Sequence, residues 1–315
     1  MTGPAPTVSE SELRERFYQA TDYHAIPGGR KKLDYIFSLV RRLQTGGPQL
    51  RVLDVGCGNG PLTFPVAALG CAVTGVDVNA ASIERNRRDG RYANARFAVV
   101  PGATFDLGQT FDLIICSEVL EHLDAPQPLV DSIARHLAPG GTLMVTVPNG
   151  YGPREVLGRV EIFLRRTVGI GRVIDPVRRM FGMLDHATKC AVHTSNPDQD
   201  HVQKFTTGEM RGIFAKAGLS IVKTVNSIFI FGVVFGKSAA VDRFDSRLAD
   251  FLPHSAASGW YFLCTRDGRE MAFSRSGTAM AEGWRGGEIS IARTAGSTVE
   301  VRSDRTPQPR PVSIR

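Results

Sequence analysis

The 315-residue chain lacks several things, and each absence excludes a class of protein. Its five cysteines (Cys57, Cys71, Cys116, Cys190 and Cys264) are scattered, odd in number and form no C-x-x-C pair. That excludes a disulfide framework and a cysteine-based zinc site; reduced thiols and no resident metal are predicted. Met1 to Glu12 has no apolar stretch of the kind a secretory signal carries. The longest apolar run, Ile228 to Phe235, falls well short of the roughly 20 residues that cross a bilayer, and it reads as a buried strand. No module interleaving aromatic and basic residues stands out, so no nucleic-acid partner is expected. The net charge of +7, carried largely by arginine, leaves an anionic substrate, a membrane surface and plain solvation open. A cytoplasmic setting, with peripheral attachment to the inner face of a membrane as its variant, is the expectation.

What is present is a hydrophobic fraction of 42% and a charged fraction of 22%, ordinary for a globular chain. Ser9 to Ala20, with a capping-box pattern at Ser9 and Glu12, and Arg30 to Leu43, with apolar residues at Leu33, Ile36, Phe37, Val40 and Leu43, read as helices. Gly46-Gly47-Pro48 stops the second. Apolar strands then alternate with helices: strands 51–55, 72–76, 95–100, 111–117 and 142–147, helices 63–69, 80–88 and 128–137. That rhythm predicts an α/β fold, a doubly wound, mostly parallel seven-stranded Rossmann-like sheet. After Asn149-Gly150 the rhythm breaks, and 151–201 reads as a helical lid inserted after the fifth strand. A helix is expected again over 203–217, and 219–225, 228–234 and 259–264 read as strands closing the sheet. The expected division is 1–48 as covering helices, 49–265 as the main domain, and 266–315 as a weakly structured tail.

The chemistry concentrates in Val52-Leu53-Asp54-Val55-Gly56-Cys57-Gly58-Asn59-Gly60 and Val73-Thr74-Gly75-Val76-Asp77. A short apolar strand enters a turn with glycine at alternate positions, and the next strand ends in a carboxylate. Glycines let backbone approach a ligand closely, and an acid at a strand's carboxyl end accepts hydrogen bonds from ribose hydroxyls. The spacing is G-x-G-x-G, not the dinucleotide G-x-G-x-x-G, and Pro61 stands where the third fingerprint glycine would fall. Asp54, just ahead of the loop, would repel a pyrophosphate but suits a ligand carrying an ammonium and a sulfonium.

In these residues the chain resembles the class I S-adenosylmethionine-dependent methyltransferases. The resemblance implies S-adenosylmethionine as cofactor, held by Asp54, Gly56, Cys57, Gly58, Gly60, Asp77 and its neighbour Val78, and by the Ser117 region. Related chains place an adenine-binding acid after the third strand; here Pro101 occupies that place, so Gly102 and Ala103 are the expected adenine contacts. Ser117-Glu118-Val119-Leu120-Glu121-His122 narrows the resemblance to the polyprenyl-phenol (ubiquinone-type) O-methyltransferase group, which carries Glu-x-Leu-Glu-His at this point. In a helix starting near Glu118, His122 lies one turn on and on the same face. Glu118, His122 and His201 (the last in His201-Val202-Gln203-Lys204-Phe205) are the candidate catalytic residues, because an imidazole titrating near neutrality can accept a hydroxyl proton during methyl transfer. His24, Arg30 and Lys32 match a region that closes over the cofactor carboxylate in relatives.

The insertion bears on the acceptor. Val156, Leu157, Val160, Phe163 and Leu164 share one helical face, and arginines surround a second such pattern near 173–181. Residues 154–182 therefore read either as a lid over the substrate or as a peripheral membrane contact. The predicted activity is O-methylation of a small-molecule, lipid-linked or glycan-linked hydroxyl. Small-molecule N-methylation stays open, although no Asn-Pro-Pro-Tyr-type clamp follows the fourth strand. The rivals are a non-catalytic nucleoside-binding protein and a nicotinamide dehydrogenase.

Overall fold

The computed structural model describes residues 8–26, 28–44, 47–153, 156, 163, 167, 202–229 and 239–268. Seven strands form one sheet: β1 (Arg51–Val55), β2 (Ala72–Asp77), β3 (Ala95–Val99), β4 (Phe111–Ser117), β5 (Leu137–Pro148), β6 (Ser220–Asn226) and β7 (Gly259–Thr265). Their order is β3-β2-β1-β4-β5-β7-β6. The first five pair in parallel, and β7 runs antiparallel between β5 and β6. The predicted doubly wound, mostly parallel sheet is therefore the observed one. Because β1 is flanked by β2 on one side and β4 on the other, the chain reverses direction across the sheet there. Open α/β sheets leave a crevice at such a reversal, beyond the carboxyl ends of the strands.

Alternation along each strand sends side chains to opposite faces. Leu53, Val55, Ile114, Cys116, Leu143 and Val145 join one core with helices α5 (Gln127–His136) and α6 (Thr207–Lys216). Val52, Leu113, Ile115 and Met144 join the other, with α1 (Glu10–Gln19), α2 (Gly29–Leu43) and α3 (Thr63–Ala68). The sheet is thus covered on both faces, as parallel strands require. Local chemistry sets the helix starts. Ser9 caps α1 by accepting from the Glu12 N–H, Asn79 caps α4 (Ala80–Asp89), and Thr206 with Glu209 forms a full capping box on α6.

Two expectations need correction. Ile228 and Phe229 are not in a strand, and the rest of the expected strand 228–234 lies outside the described residues. The sheet reaches seven strands without it. A helix that the sequence reading missed, α7 (Ala239–Phe251), stands between β6 and β7. Its contacts with the rest of the fold are largely acidic: Asp245 is fully buried together with Ala249, Asp242 accepts from the Gly28 N–H at 2.8 Å, and the exposed Asp250 accepts from the buried Lys31 at 2.6 Å. Phe251, by contrast, is 88% exposed. An apolar-periodicity argument would have turned the wrong face inward. Among the described residues, no helix is long and apolar enough to cross a membrane.

Candidate active site

The loop after β1 is fixed from its own backbone outward. Gly56 and Cys57 donate their N–H groups to the Val76 carbonyl at 2.8 and 3.0 Å, and Gly60 donates to the Cys57 carbonyl at 2.8 Å. The buried Asn86 of α4 donates to the Gly58 carbonyl at 2.8 Å. Gly56 and Gly60 sit at φ 71° and 80°, a region that only glycine enters cheaply. Side chains there are also excluded by space, since a Cβ on Gly56 would lie 2.4 Å from Val119 and one on Gly60 2.5 Å from Phe64. Glycine at both positions therefore lets the loop backbone pack directly against the Val119 and Phe64 side chains.

Two carboxylates fence this loop. Asp77 closes β2 and accepts from the N–H groups of Gly58 and Asn79, at 2.7 and 2.8 Å. It therefore shapes the loop from the carboxyl end of β2. Asp54 is 3% exposed and accepts a hydrogen bond from the Thr63 hydroxyl. Burial pushes its carboxyl up to about 7; the Thr63 hydrogen bond opposes that shift and the Asp77 charge adds to it. Cys57 is buried behind the loop, and burial with the two acids holds its thiol well above the ordinary range. Gly102 and Ala103 follow β3, where the Val100 N–H bonds to the Asp77 carbonyl at 3.0 Å. Val78, directly after Asp77, is 62% exposed.

Across the crevice, the exit of β4 departs from the expected helix. Glu118 has φ 56°, the only non-glycine residue at positive φ among the described residues. A left-handed residue cannot propagate a right-handed helix, so only a 3-10 turn, Leu120–His122, follows Val119. The Glu118 N–H bonds to the Thr146 carbonyl at 3.0 Å, which anchors this conformation to β5. Glu121 is fully buried; burial and the neighbouring Glu118 charge drive its carboxyl well above the usual range, and its carbonyl accepts from Val202 and Gln203, each at 2.9 Å. Both ring nitrogens of His122 are shielded from solvent.

Lys32 enters from α2. Its ammonium donates to Ser117 Oγ at 3.0 Å, Glu118 Oε1 at 3.1 Å and Thr146 Oγ1 at 3.2 Å. Burial works against the ammonium, but the Glu118 charge together with Tyr23 and Tyr261 outweighs it, so Lys32 is held protonated. Arg30 instead lies exposed over the Tyr18 ring, 5.2 Å from its centroid, and His24 packs edge-on against the same ring. The fold therefore brings Asp54, the glycine loop, Asp77, Ser117, Glu118 and His122 to one edge of the sheet, with Gly102 and Ala103 at its β3 end. His201 and most of 154–182 lie outside the described residues. The sequence reading missed Thr63, Asn86, Thr146 and Tyr261. Their only signal was polarity at positions that the alternation or helical period turns inward.

A methyltransferase domain model matches residues 29–224 of this sequence. The chain belongs to the methyltransferase domain family. The strand order fits the class I methyltransferase fold. Over 103 residues the sequence is 37% identical to a ubiquinone biosynthesis O-methyltransferase of Chelativorans sp., covering 32% of this chain and 41% of that protein. The protein of the same name from Xanthomonas oryzae pv. oryzae is 34% identical over 122 residues, covering 38% of this chain and 49% of that one. The chain thus spans about half the length of the curated relatives it matches. Magnesium protoporphyrin IX methyltransferase from Synechocystis PCC 6803 overlaps 84% of this chain and 90% of its own at 16% identity, with a TM-score of 0.43.

Proposed function

We propose that this methyltransferase-family chain binds S-adenosylmethionine and transfers its methyl group to a hydroxyl of a small-molecule, lipid-linked or glycan-linked acceptor. The observation that carries the reading is the pair of buried acids, Asp54 and Asp77, on either side of a loop with glycine at alternate positions at the β1/β4 crevice. That arrangement suits an adenosine whose other end is cationic and repels a pyrophosphate. In this reading Asp77 meets the ribose, and Gly102, Ala103 and Val78 flank the adenine. Gly56, Gly58 and Gly60 admit the methionyl arm, with Asp54 close to its positive charge. When bound, the donor supplies an electrophilic methyl on a sulfonium. The chain's own residues align an oxygen with it and remove a proton, a role assigned to His122 and His201, with Glu118 at the β4 exit.

The candidate imidazoles and the similarity to O-methyltransferases support an oxygen acceptor. The insertion over 151–201 would cover the acceptor. Val156 and Phe163, two residues of its expected apolar face, are exposed. Calorimetry with S-adenosylmethionine, S-adenosylhomocysteine and NAD tests the cofactor: the first two should bind and NAD should not. Transfer of a labelled methyl group to a panel of phenols, lipid-linked phenols and glycan hydroxyls tests the activity. His122→Ala should lower turnover at least tenfold with little change in S-adenosylhomocysteine affinity. Binding of NAD alone would overturn the assignment.

A further inference from the structure

The ammonium of Lys32 is fully enclosed, and its three hydrogen-bond donors meet three acceptors from two adjacent strand ends. Ser117 and Thr146 continue the alternation that turns Leu113, Ile115 and Met144 toward α2, so both hydroxyls face the incoming lysine. Thr146 uses its single hydroxyl proton on Glu118 Oε1 at 2.8 Å, which makes Ser117 the donor in the 2.9 Å contact between the two hydroxyls. The rings of Tyr23 and Tyr261 close the pocket at 5.5 and 5.9 Å. Everything in this cluster converges on Glu118 Oε1. That residue holds a left-handed conformation at φ 56°, and strain of this kind persists only where its surroundings enforce it. Its side chain is 23% exposed, and the next residue, Val119, packs against Gly56 of the loop.

We infer that Lys32 is a positioning residue, which fixes the Glu118 carboxylate at the mouth of the donor pocket so that donor affinity depends on Lys32 through Glu118. The inference rests on the proposed cofactor reading. It assigns Lys32 to the protein's own carboxylate where the sequence pointed to the ligand's. Among the described residues, the charged and titratable groups around Glu118 include Lys32 from α2, Glu121 from the 3-10 turn, Cys116 on β4, and Tyr23 and Tyr261 around the ammonium. Of these only Lys32 is cationic. Removing Lys32 takes that positive charge away from Glu118, which lies beside the buried Glu121, and favours proton uptake by the carboxylate.

The test is calorimetry of the full chain with S-adenosylhomocysteine from pH 6 to 8.5, on the wild type, Lys32→Met, Lys32→Arg, Glu118→Gln and the Lys32→Met/Glu118→Gln double variant. Lys32→Met and Glu118→Gln should each weaken binding about tenfold, and the double variant should be no weaker than Glu118→Gln alone. Lys32→Arg should stay within about threefold of wild type. The loss in Lys32→Met relative to wild type should grow as pH falls, whereas the loss in Glu118→Gln should be pH-independent. Independent, multiplying losses, or an unchanged Lys32→Met, would overturn the inference. Should Lys32→Met fail to fold, Thr146→Val probes the same cluster: its loss must vanish on the Glu118→Gln background, and a loss that persists there refutes the inference. A wild type that does not bind the probe sinks the cofactor reading instead.

Discussion

Replacing Asp54 by Asn should make the ligand-free protein more stable and a poorer binder. The carboxyl is 3% exposed and accepts from the Thr63 hydroxyl, a bond that an amide oxygen can still accept. Folding raises its proton affinity from the ordinary value of about 3.9 to about 7. A raised acid favours the folded state at low pH, where it is protonated in both states, and penalises it progressively as pH climbs from about 4 to 7. Three pK steps at about 1.4 kcal/mol each give a penalty of about 4 kcal/mol at pH 8, falling to about 1 kcal/mol at pH 4.5. Asp54→Asn removes that penalty. Thermal melts should show a gain of about 5–15 °C at pH 8 and little gain at pH 4.5. Calorimetry should show S-adenosylmethionine affinity reduced at least tenfold. A variant equally or less stable at pH 8, or one whose gain is the same at both pH values, would refute the reasoning.

The same group should couple donor binding to protons. A cationic donor favours the ionised Asp54, so affinity should rise as pH rises through about 7, and calorimetry near pH 7 in buffers of different ionisation enthalpy should register proton release. Gly56→Ala places a Cβ 2.4 Å from Val119 on a backbone at φ 71°; we expect a loss of about 1–3 kcal/mol in chemical denaturation and no measurable cofactor affinity. Asp77→Ala strips the acceptor from the Gly58 and Asn79 N–H groups, so it should lower the melting temperature as well as abolish binding. Asp77→Asn keeps one acceptor oxygen and should separate the two effects.

Much of the site was legible because its chemistry is written into local sequence. β1 and β4 were bounded to the residue, as apolar runs ending at a glycine turn and at Ser117-Glu118. Asp77 was placed at a strand's carboxyl end by the length of its apolar run. The helix expected from Glu118 failed because nothing local announces a left-handed glutamate; Lys32, 86 residues away, and Thr146 enforce it. Helix α7 escaped notice because its contacts with the rest of the fold are largely acidic, a choice made by Lys31 and Gly28 more than 200 residues earlier in the chain.

By itself, then, the sequence determined the alternation of strands and helices, the glycine loop and the two acids that fence it, because backbone freedom and apolar periodicity act between near neighbours. Only the tertiary structure decided which charges meet. Lys32 bonds Glu118 and Lys31 bonds α7 because a buried ammonium must find its acceptors wherever packing brings them, and sequence separation places no limit on that.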